Sequence, residues 1–187
     1  FPVRFADRVI QRYTDPGDLV LDPFAGRGTA VFSAAANDRA SVGIELNPVG
    51  WVYARTKLSP AGKEDVAERV EDIGARMGRF RDAADALPEF FQVCFSRTTR
   101  QFLLAARKHL DWRRSRVDRT LMALLLVHLH GKRKDSLSNQ MRQTKSMSPD
   151  YAIAWWRERK LRPPRIDPVG FVTKRLDWGY AKSLPDI

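Results

Sequence analysis

Cysteine occurs once in the 187 residues, at Cys94 inside the apolar run Phe90-Phe91-Gln92-Val93-Cys94-Phe95. A single thiol builds neither a disulfide framework within the chain nor a thiolate metal cage, so a reducing, intracellular setting is expected. Long apolar runs are missing too. No stretch approaches the roughly 20 apolar residues that span a bilayer, and the N-terminus lacks the basic-then-apolar pattern of a signal. The expectation is a soluble, cytoplasmic protein with no membrane partner. Histidine is scarce, at positions 109, 128 and 130, and shows no ligand spacing with acids or cysteine. His128 and His130, two apart on a helix, point to different faces, so no metal is expected. Internal repeats and low-complexity tracts are absent. The chain opens on Phe1 and closes on Leu184-Pro185-Asp186-Ile187 without a terminal element, so a fragment is expected.

What is present suffices for a core, since 43% of the residues are hydrophobic, and the length fits one domain or one domain with a helical appendage. Charge is divided unevenly. Residues 1–96 hold 12 Lys/Arg against 14 Asp/Glu, net −2; residues 97–187 hold the remaining 21 against 8, net +13, restoring the overall +11. A basic half of this size favours a polyanionic partner, because each cation that neutralises a phosphate releases condensed counterions. DNA or RNA contact is expected there.

Residues 3–13 read as an amphipathic helix on Val3, Phe5, Ala6, Val9, Ile10 and Tyr13, stopped by Asp15-Pro16-Gly17. Leu19-Val20-Leu21 reads as a parallel strand covered on both faces. It runs into Asp22-Pro23-Phe24-Ala25-Gly26-Arg27-Gly28-Thr29, after which Ala30 to Ala36 has helical composition. A second strand follows at Ser41 to Leu46, and Asn47-Pro48 starts a helix from Val49 to Leu58. The result is a βαβα unit whose crossover makes the strands parallel. Beyond Lys63 the apolar positions Val66, Val70, Ile73, Met77, Phe80, Ala84 and Leu87 mark one long helix ended by Pro88. Further helices are expected at about 98–110 with Ser96 or Thr98 as N-cap, at 117–130 with a buried apolar centre, at 149–160 capped by Ser148, and at 168–180. Gly131 to Ser148 reads as loop.

The loop after the first strand carries the most chemistry. Gly26 and Gly28 let the backbone turn sharply and approach a ligand, and the following helix N-terminus offers N–H groups. Val31 stands where a dinucleotide fingerprint needs its third glycine, and no Lys-Ser/Thr pair is present for a phosphate-binding P-loop. The string Asp22-Pro23-Phe24-Ala25-Gly26-x-Gly28-Thr29 closely resembles motif I of the amino-methyltransferases that modify DNA at adenine N6 or cytosine N4. The resemblance implies an α/β fold with a Rossmann-like class I methyltransferase core, here a partial parallel sheet, and S-adenosylmethionine as cofactor. It implies cofactor contacts at Phe1, Asp22, Pro23, Phe24, Ala25, Gly26, Gly28, Thr29, Glu45 and Leu46. In that frame Glu45, 17 residues after Gly28, accepts hydrogen bonds from the ribose hydroxyls at the end of the second strand. Leu46 lines the adenine pocket, and Asn47-Pro48 resembles the turn that follows. Phe1-Pro2-Val3-Arg4-Phe5 resembles the motif that closes over the methionine end of the cofactor, although Phe1 and Phe5 also suit packing against the core.

The family also needs a tetrapeptide Asp/Asn/Ser-Pro-Pro-aromatic, which orients the exocyclic amino group and stacks on a base swung out of the helix. None is present. The near match Ser148-Pro149-Asp150-Tyr151 reads as a helix start, and Pro163-Pro164 between Arg162 and Arg165 as a helix breaker, so the catalytic residues are unassigned. Residues 1–60 are expected to be the cofactor-binding unit. Residues 61–187 are expected to be a basic, mainly helical insertion that contacts DNA through Lys132, Arg133, Lys134, Arg142 and Lys145. Of Trp155 and Trp156, at most one faces the core. The whole implies a site-specific DNA methyltransferase of the restriction-modification kind, or its cofactor-binding part, with a catalytic remainder or partner subunit. Two alternatives stand: an RNA methyltransferase of the transfer-RNA guanine-N2 type, and a non-catalytic subunit that binds cofactor and DNA.

Overall fold

Leu19-Val20-Leu21-Asp22 forms strand β1 and pairs in parallel with β2 (Ala40–Gly43), in the register Leu19↔Ala40 to Asp22↔Gly43. The computed structural model describes residues 2–132, 135–142 and 147–181. Among these the fold is mixed α/β and mostly helical, with a parallel sheet of two strands. No described helix is long and apolar enough to cross a membrane.

The chain divides into two compact units, the first made of residues 1–61 and 112–123. Its helices are α1 (Val3–Tyr13), α2 (Thr29–Ala36) and α3 (Pro48–Leu58). Polar side chains join α1 to the end of α2. Gln11 donates to Asn37 at 2.6 Å, and the Arg39 guanidinium donates to the hydroxyl and carbonyl of Thr14 at 3.0 and 2.6 Å. Ala6, Ile10, Val31, Ala34, Val52, Ala61 and Leu121 form the core. The Thr120 hydroxyl, inside α8 (Arg116–Leu129), accepts the Ala61 N–H at 3.0 Å.

The second unit holds residues 62–111 and 124–187. Its helices are α4 (Lys63–Arg76), α5 (Arg81–Asp85), α6 (Glu89–Cys94), α7 (Arg97–His109), the C-terminal part of α8, α9 (Pro149–Glu158) and α10 (Pro168–Ala181). Ser96 caps α7 and Ser148 caps α9, each accepting the N–H three residues on. Arg100 is almost fully buried, and its guanidinium donates to the carbonyls of Ala84, Phe95 and Gln92 at 3.1, 2.8 and 3.2 Å. One cation thus satisfies three carbonyls at helix ends, where intrahelical partners run out.

Five expectations change. The second strand, expected from Ser41 to Leu46, runs only from Ala40 to Gly43, so Ile44, Glu45 and Leu46 lie just past it. The long helix from Lys63 is interrupted by a 3-10 turn at Met77–Phe80, where Gly78 weakens α-helix propensity. Gly74, just before it, faces Val169 so closely that an added Cβ would lie 2.6 Å from its Cγ2. The run Phe90 to Phe95 is not merely apolar but carries the short helix α6. β1 is not covered on both faces, because Leu19 and Leu21 are 65% and 60% exposed, and α2 shields only the other side. On α1 only Ala6 and Ile10 are buried, so Phe5 is exposed rather than packed into the core.

Residues 135–142, after α8, form no helix or strand, yet Ser136, Leu137, Ser138 and Asn139 are buried. Asn139 donates its main-chain N–H to the Cys94 carbonyl at 2.6 Å and its side-chain amide to Val93 and Leu161 at 3.2 and 3.3 Å. The fully buried Trp156 donates its indole N–H to the Gln140 carbonyl at 2.6 Å, while Trp155 stays half-buried beneath Arg159. Buried loop backbone needs such partners.

Candidate functional site

The carboxyl end of β1 leads into a loop held by its own polar groups. The Asp22 carboxylate accepts the Phe24 N–H at 3.0 Å, a local turn that starts the bend. Ala25 N–H donates to the Ile44 carbonyl at 3.0 Å and Gly28 N–H to the Ala25 carbonyl at 2.7 Å, so the loop stays tied to the end of β2. Gly28 has φ +75°, and a Cβ there would lie 2.6 Å from the Ala54 Cβ of α3. Both the backbone sign and the helix contact require glycine. Gly28 is also the N-cap of α2.

Glu45 closes the site from two residues beyond the end of β2. One carboxylate oxygen accepts the Gly26 N–H at 2.6 Å and the other accepts the Asn47 N–H at 2.7 Å. A carboxylate carries about four acceptor positions, so each oxygen keeps capacity after these bonds. Asn47 in turn caps α3 by accepting the Val49 N–H at 2.9 Å, and Pro48 occupies the first helical position. Gly50, one turn on, lets α3 press against this corner: a Cβ there would sit 2.7 Å from the Gly26 carbonyl oxygen and 2.9 Å from the Glu45 Cγ.

Two large apolar side chains flank the loop uncovered. Phe24 is 89% and Leu46 98% exposed, an arrangement that leaves apolar surface in water for something to cover. A cavity of about 300 Å³ opens beside Leu46, lined by Glu45, Leu46, Pro48, Trp51, Trp112 and Arg113. A second, of about 350 Å³, runs past Ala25, Val42, Gly43, Glu45 and Trp51. Glu45 and Trp51 belong to both. Arg27 lies over the Tyr53 ring at 4.5 Å from its centroid. Burial pushes the Tyr53 hydroxyl above its ordinary value against the opposing pull of Arg27, and burial, then Arg27, lowers Lys57.

Asp22 to Thr29 and Glu45 with Leu46 therefore meet at one place in the first unit, joined by the Gly26–Glu45 bond. Phe1 lies outside the described residues, as do Arg133, Lys134 and Lys145. Lys132 and Arg142 are exposed in the second unit, and the Arg142 guanidinium donates to the Tyr151 hydroxyl at 2.6 Å. In the near match Ser148 to Tyr151, the Ser148 hydroxyl accepts the Tyr151 N–H and its carbonyl the Ala152 N–H. The segment is thereby a helix start. Among the described residues no group of three or more His, Cys, Asp or Glu could hold a metal ion.

Sequence reasoning passed over Trp51, Trp112 and Arg113. The available signal was Asp111-Trp112-Arg113-Arg114-Ser115-Arg116, an aromatic among cations between two helices. Its place beside Glu45 depends on tertiary structure.

The family model described as DNA methylase, of the N6/N4 class, matches residues 1–50. Type II methyltransferase M.Cfr9I of Citrobacter freundii is 50% identical over 48 residues, which cover 26% of this chain and 16% of that relative. Type II methyltransferase M.MthZI of Methanothermobacter thermautotrophicus is 47% identical over 47 residues, 25% of this chain and 13% of the relative. DNA adenine methyltransferase YhdJ of Escherichia coli (strain K12) is 46% identical over 46 residues, 25% of this chain and 16% of the relative. The matched stretch thus spans 13–16% of the length of these relatives. No solved structure matches the chain.

Proposed function

We propose that the first unit, whose residues 1–50 match the DNA methylase family model, is the donor site of a Rossmann-like S-adenosylmethionine-dependent methyltransferase acting on DNA. The single observation that carries the proposal is the bond from the Gly26 N–H to the Glu45 carboxylate at 2.6 Å. It joins the glycine loop to the carboxylate just beyond β2 and turns two separate sequence features into one site. The residues suit the donor. Glu45 retains acceptor positions for a ribose diol, the glycines bring backbone close to a ligand, and Leu46 presents apolar surface in a cavity of about 300 Å³. Asp22, Pro23, Ala25, Gly26, Gly28 and Thr29 frame that loop, and Phe1 joins them by resemblance alone.

The donor supplies an electrophilic methyl group on a sulfonium. Everything the chain contributes at this site is binding and orientation: Glu45 holds the loop, α3 backs it, and the N-terminus of α2 faces it. The acceptor in this reading is an exocyclic amino group of adenine or cytosine in DNA, in a cytoplasmic, restriction-modification setting. Lys132, Arg133, Lys134, Arg142 and Lys145 serve backbone contact, supported by the net +13 of residues 97–187. A second reading is favoured by Ser148, whose hydroxyl and carbonyl are both spent on α9. There the chain binds donor and DNA, while the Pro-Pro-aromatic element comes from other residues or a partner subunit.

Calorimetric titration of residues 1–187 with S-adenosylmethionine tests the donor site. One binding site is expected, with affinity reduced at least about tenfold in Glu45→Ala, a loss of about 1.4 kcal/mol or more. Unchanged affinity in Glu45→Ala and Asp22→Ala would sink the assignment. Incubation with labelled donor and DNA then separates the two readings: transfer by residues 1–187 contradicts the second.

A further inference from the structure

Trp51 and Trp112 are 61 positions apart in sequence and meet with ring centroids 5.9 Å apart at an interplanar angle of 65°. Both belong to the first unit, Trp51 in the first turns of α3 and Trp112 just before α8. Each indole is steadied by an arginine. The Arg113 guanidinium lies 4.8 Å from the Trp112 ring centroid and that of Arg119 5.7 Å from Trp51, and Arg119 also donates to the Arg113 carbonyl at 3.3 Å. Such cation–π contacts hold a ring in place at modest cost. Edge-to-face geometry leaves a corner in which a flat ring can stack on one indole and meet the edge of the other.

That corner is a wall of the cavity of about 300 Å³ whose other lining includes Glu45, Leu46 and Pro48. The volume sits at the lower end of small-molecule pockets, roughly 300–1,000 Å³. It suits a nucleoside and excludes a duplex. The chemistry matches as well: aromatic faces for a planar base, and beside them a carboxylate with acceptor capacity left for hydroxyl groups. We propose that Trp51 and Trp112 form the stacking corner for the adenine ring of the methyl donor, so that two residues from outside the matched stretch 1–50 complete the donor site. The inference rests on the donor-site reading above and adds to it the residues that select a nucleoside.

The test uses residues 1–187, titrated calorimetrically with S-adenosylmethionine and separately with adenosine, and monitored in parallel by tryptophan fluorescence. Wild type should bind both ligands with quenching of indole emission. Trp112→Ala should weaken both by about tenfold or more, in line with the loss of one base–aromatic stack. Trp112→Phe, which keeps an aromatic face, should stay within about threefold of wild type while losing part of the quench. Far-UV circular dichroism checks that each variant is folded; should Trp112→Ala unfold, Trp112→Leu, which keeps apolar bulk without a π face, is read in its place. Wild-type affinity for S-adenosylmethionine in Trp112→Ala or Trp112→Leu, alongside loss in Glu45→Ala, overturns the stacking corner and leaves the donor site standing. Failure of the wild type to bind the donor overturns both.

Discussion

At the scale of single residues, Glu45 does two jobs with one carboxylate: its oxygens take the Gly26 and Asn47 N–H groups, and it faces the cavity. Charge-assisted bonds to backbone N–H groups are among the stronger ones available to a side chain, so the carboxylate is fixed before any ligand arrives. Cys94 shows the opposite use of burial. It is fully buried, and burial pushes its thiol up to about 12, against the small opposing effect of the Asn139 backbone. The thiolate is the reactive form, so Cys94 should resist iodoacetamide at pH 8 in the native chain and react promptly in denaturant. Fast labelling of the folded protein would contradict this placement.

His128 is held below its ordinary value. Burial, aided by Arg175 and opposed by the Asp135 carbonyl at 3.3 Å, lowers it from its ordinary 6.5. A depressed folded-state value means that the unfolded chain binds the proton more readily. The contribution to stability is therefore present above pH 6.5 and fades as pH falls through the folded-state value. Thermal melts from pH 7.5 to 5.5 should show a falling Tm, with a shallower fall in His128→Asn; an equal slope in both proteins would exclude this residue as a source.

At the scale of elements, helix and strand types were largely legible because periodicity and caps are local signals. The Ser96 and Ser148 caps and the Asp22 to Thr29 loop follow from residues adjacent in sequence. What escaped was a local break masked by periodicity and a burial that is tertiary in origin. The break at Met77–Phe80 was hidden by an unbroken apolar spacing, and the burial of Ser136 to Asn139 depends on carbonyls at Val93, Cys94 and Leu161. Position 33 in α2 offers a test of packing. The Ser33 hydroxyl is buried without a hydrogen-bond partner, so Ser33→Ala removes an unsatisfied group and improves helix propensity, and should raise stability by about 1 kcal/mol. Gly28→Ala should act the other way, losing about 2 kcal/mol or more, because φ +75° disfavours a Cβ and Ala54 occupies its space. Chemical denaturation of the two variants reads both; a stabilised Gly28→Ala would mean that α3 does not pack against the loop as described.

At the scale of the whole chain, the two halves of the proposed donor site stand in the sequence as two strings, Asp22 to Thr29 and Glu45, which the structure brings together. The aromatic wall was not legible in this way, since Trp112 lies 67 positions after Glu45 and only folding brings it into the first unit. The exposed sheet residues Leu19, Leu21 and Val42 escaped for a related reason: a parallel strand reads as apolar whether or not its second face is covered. The most direct measurement of the central claim locates the bound donor on the chain. Hydrogen–deuterium exchange of residues 1–187 with and without S-adenosylmethionine should show protection of backbone amides at 22–30 and 44–52, and around Trp112. Saturating ligand that leaves those segments unprotected, or protects a different part of the chain, would contradict the account.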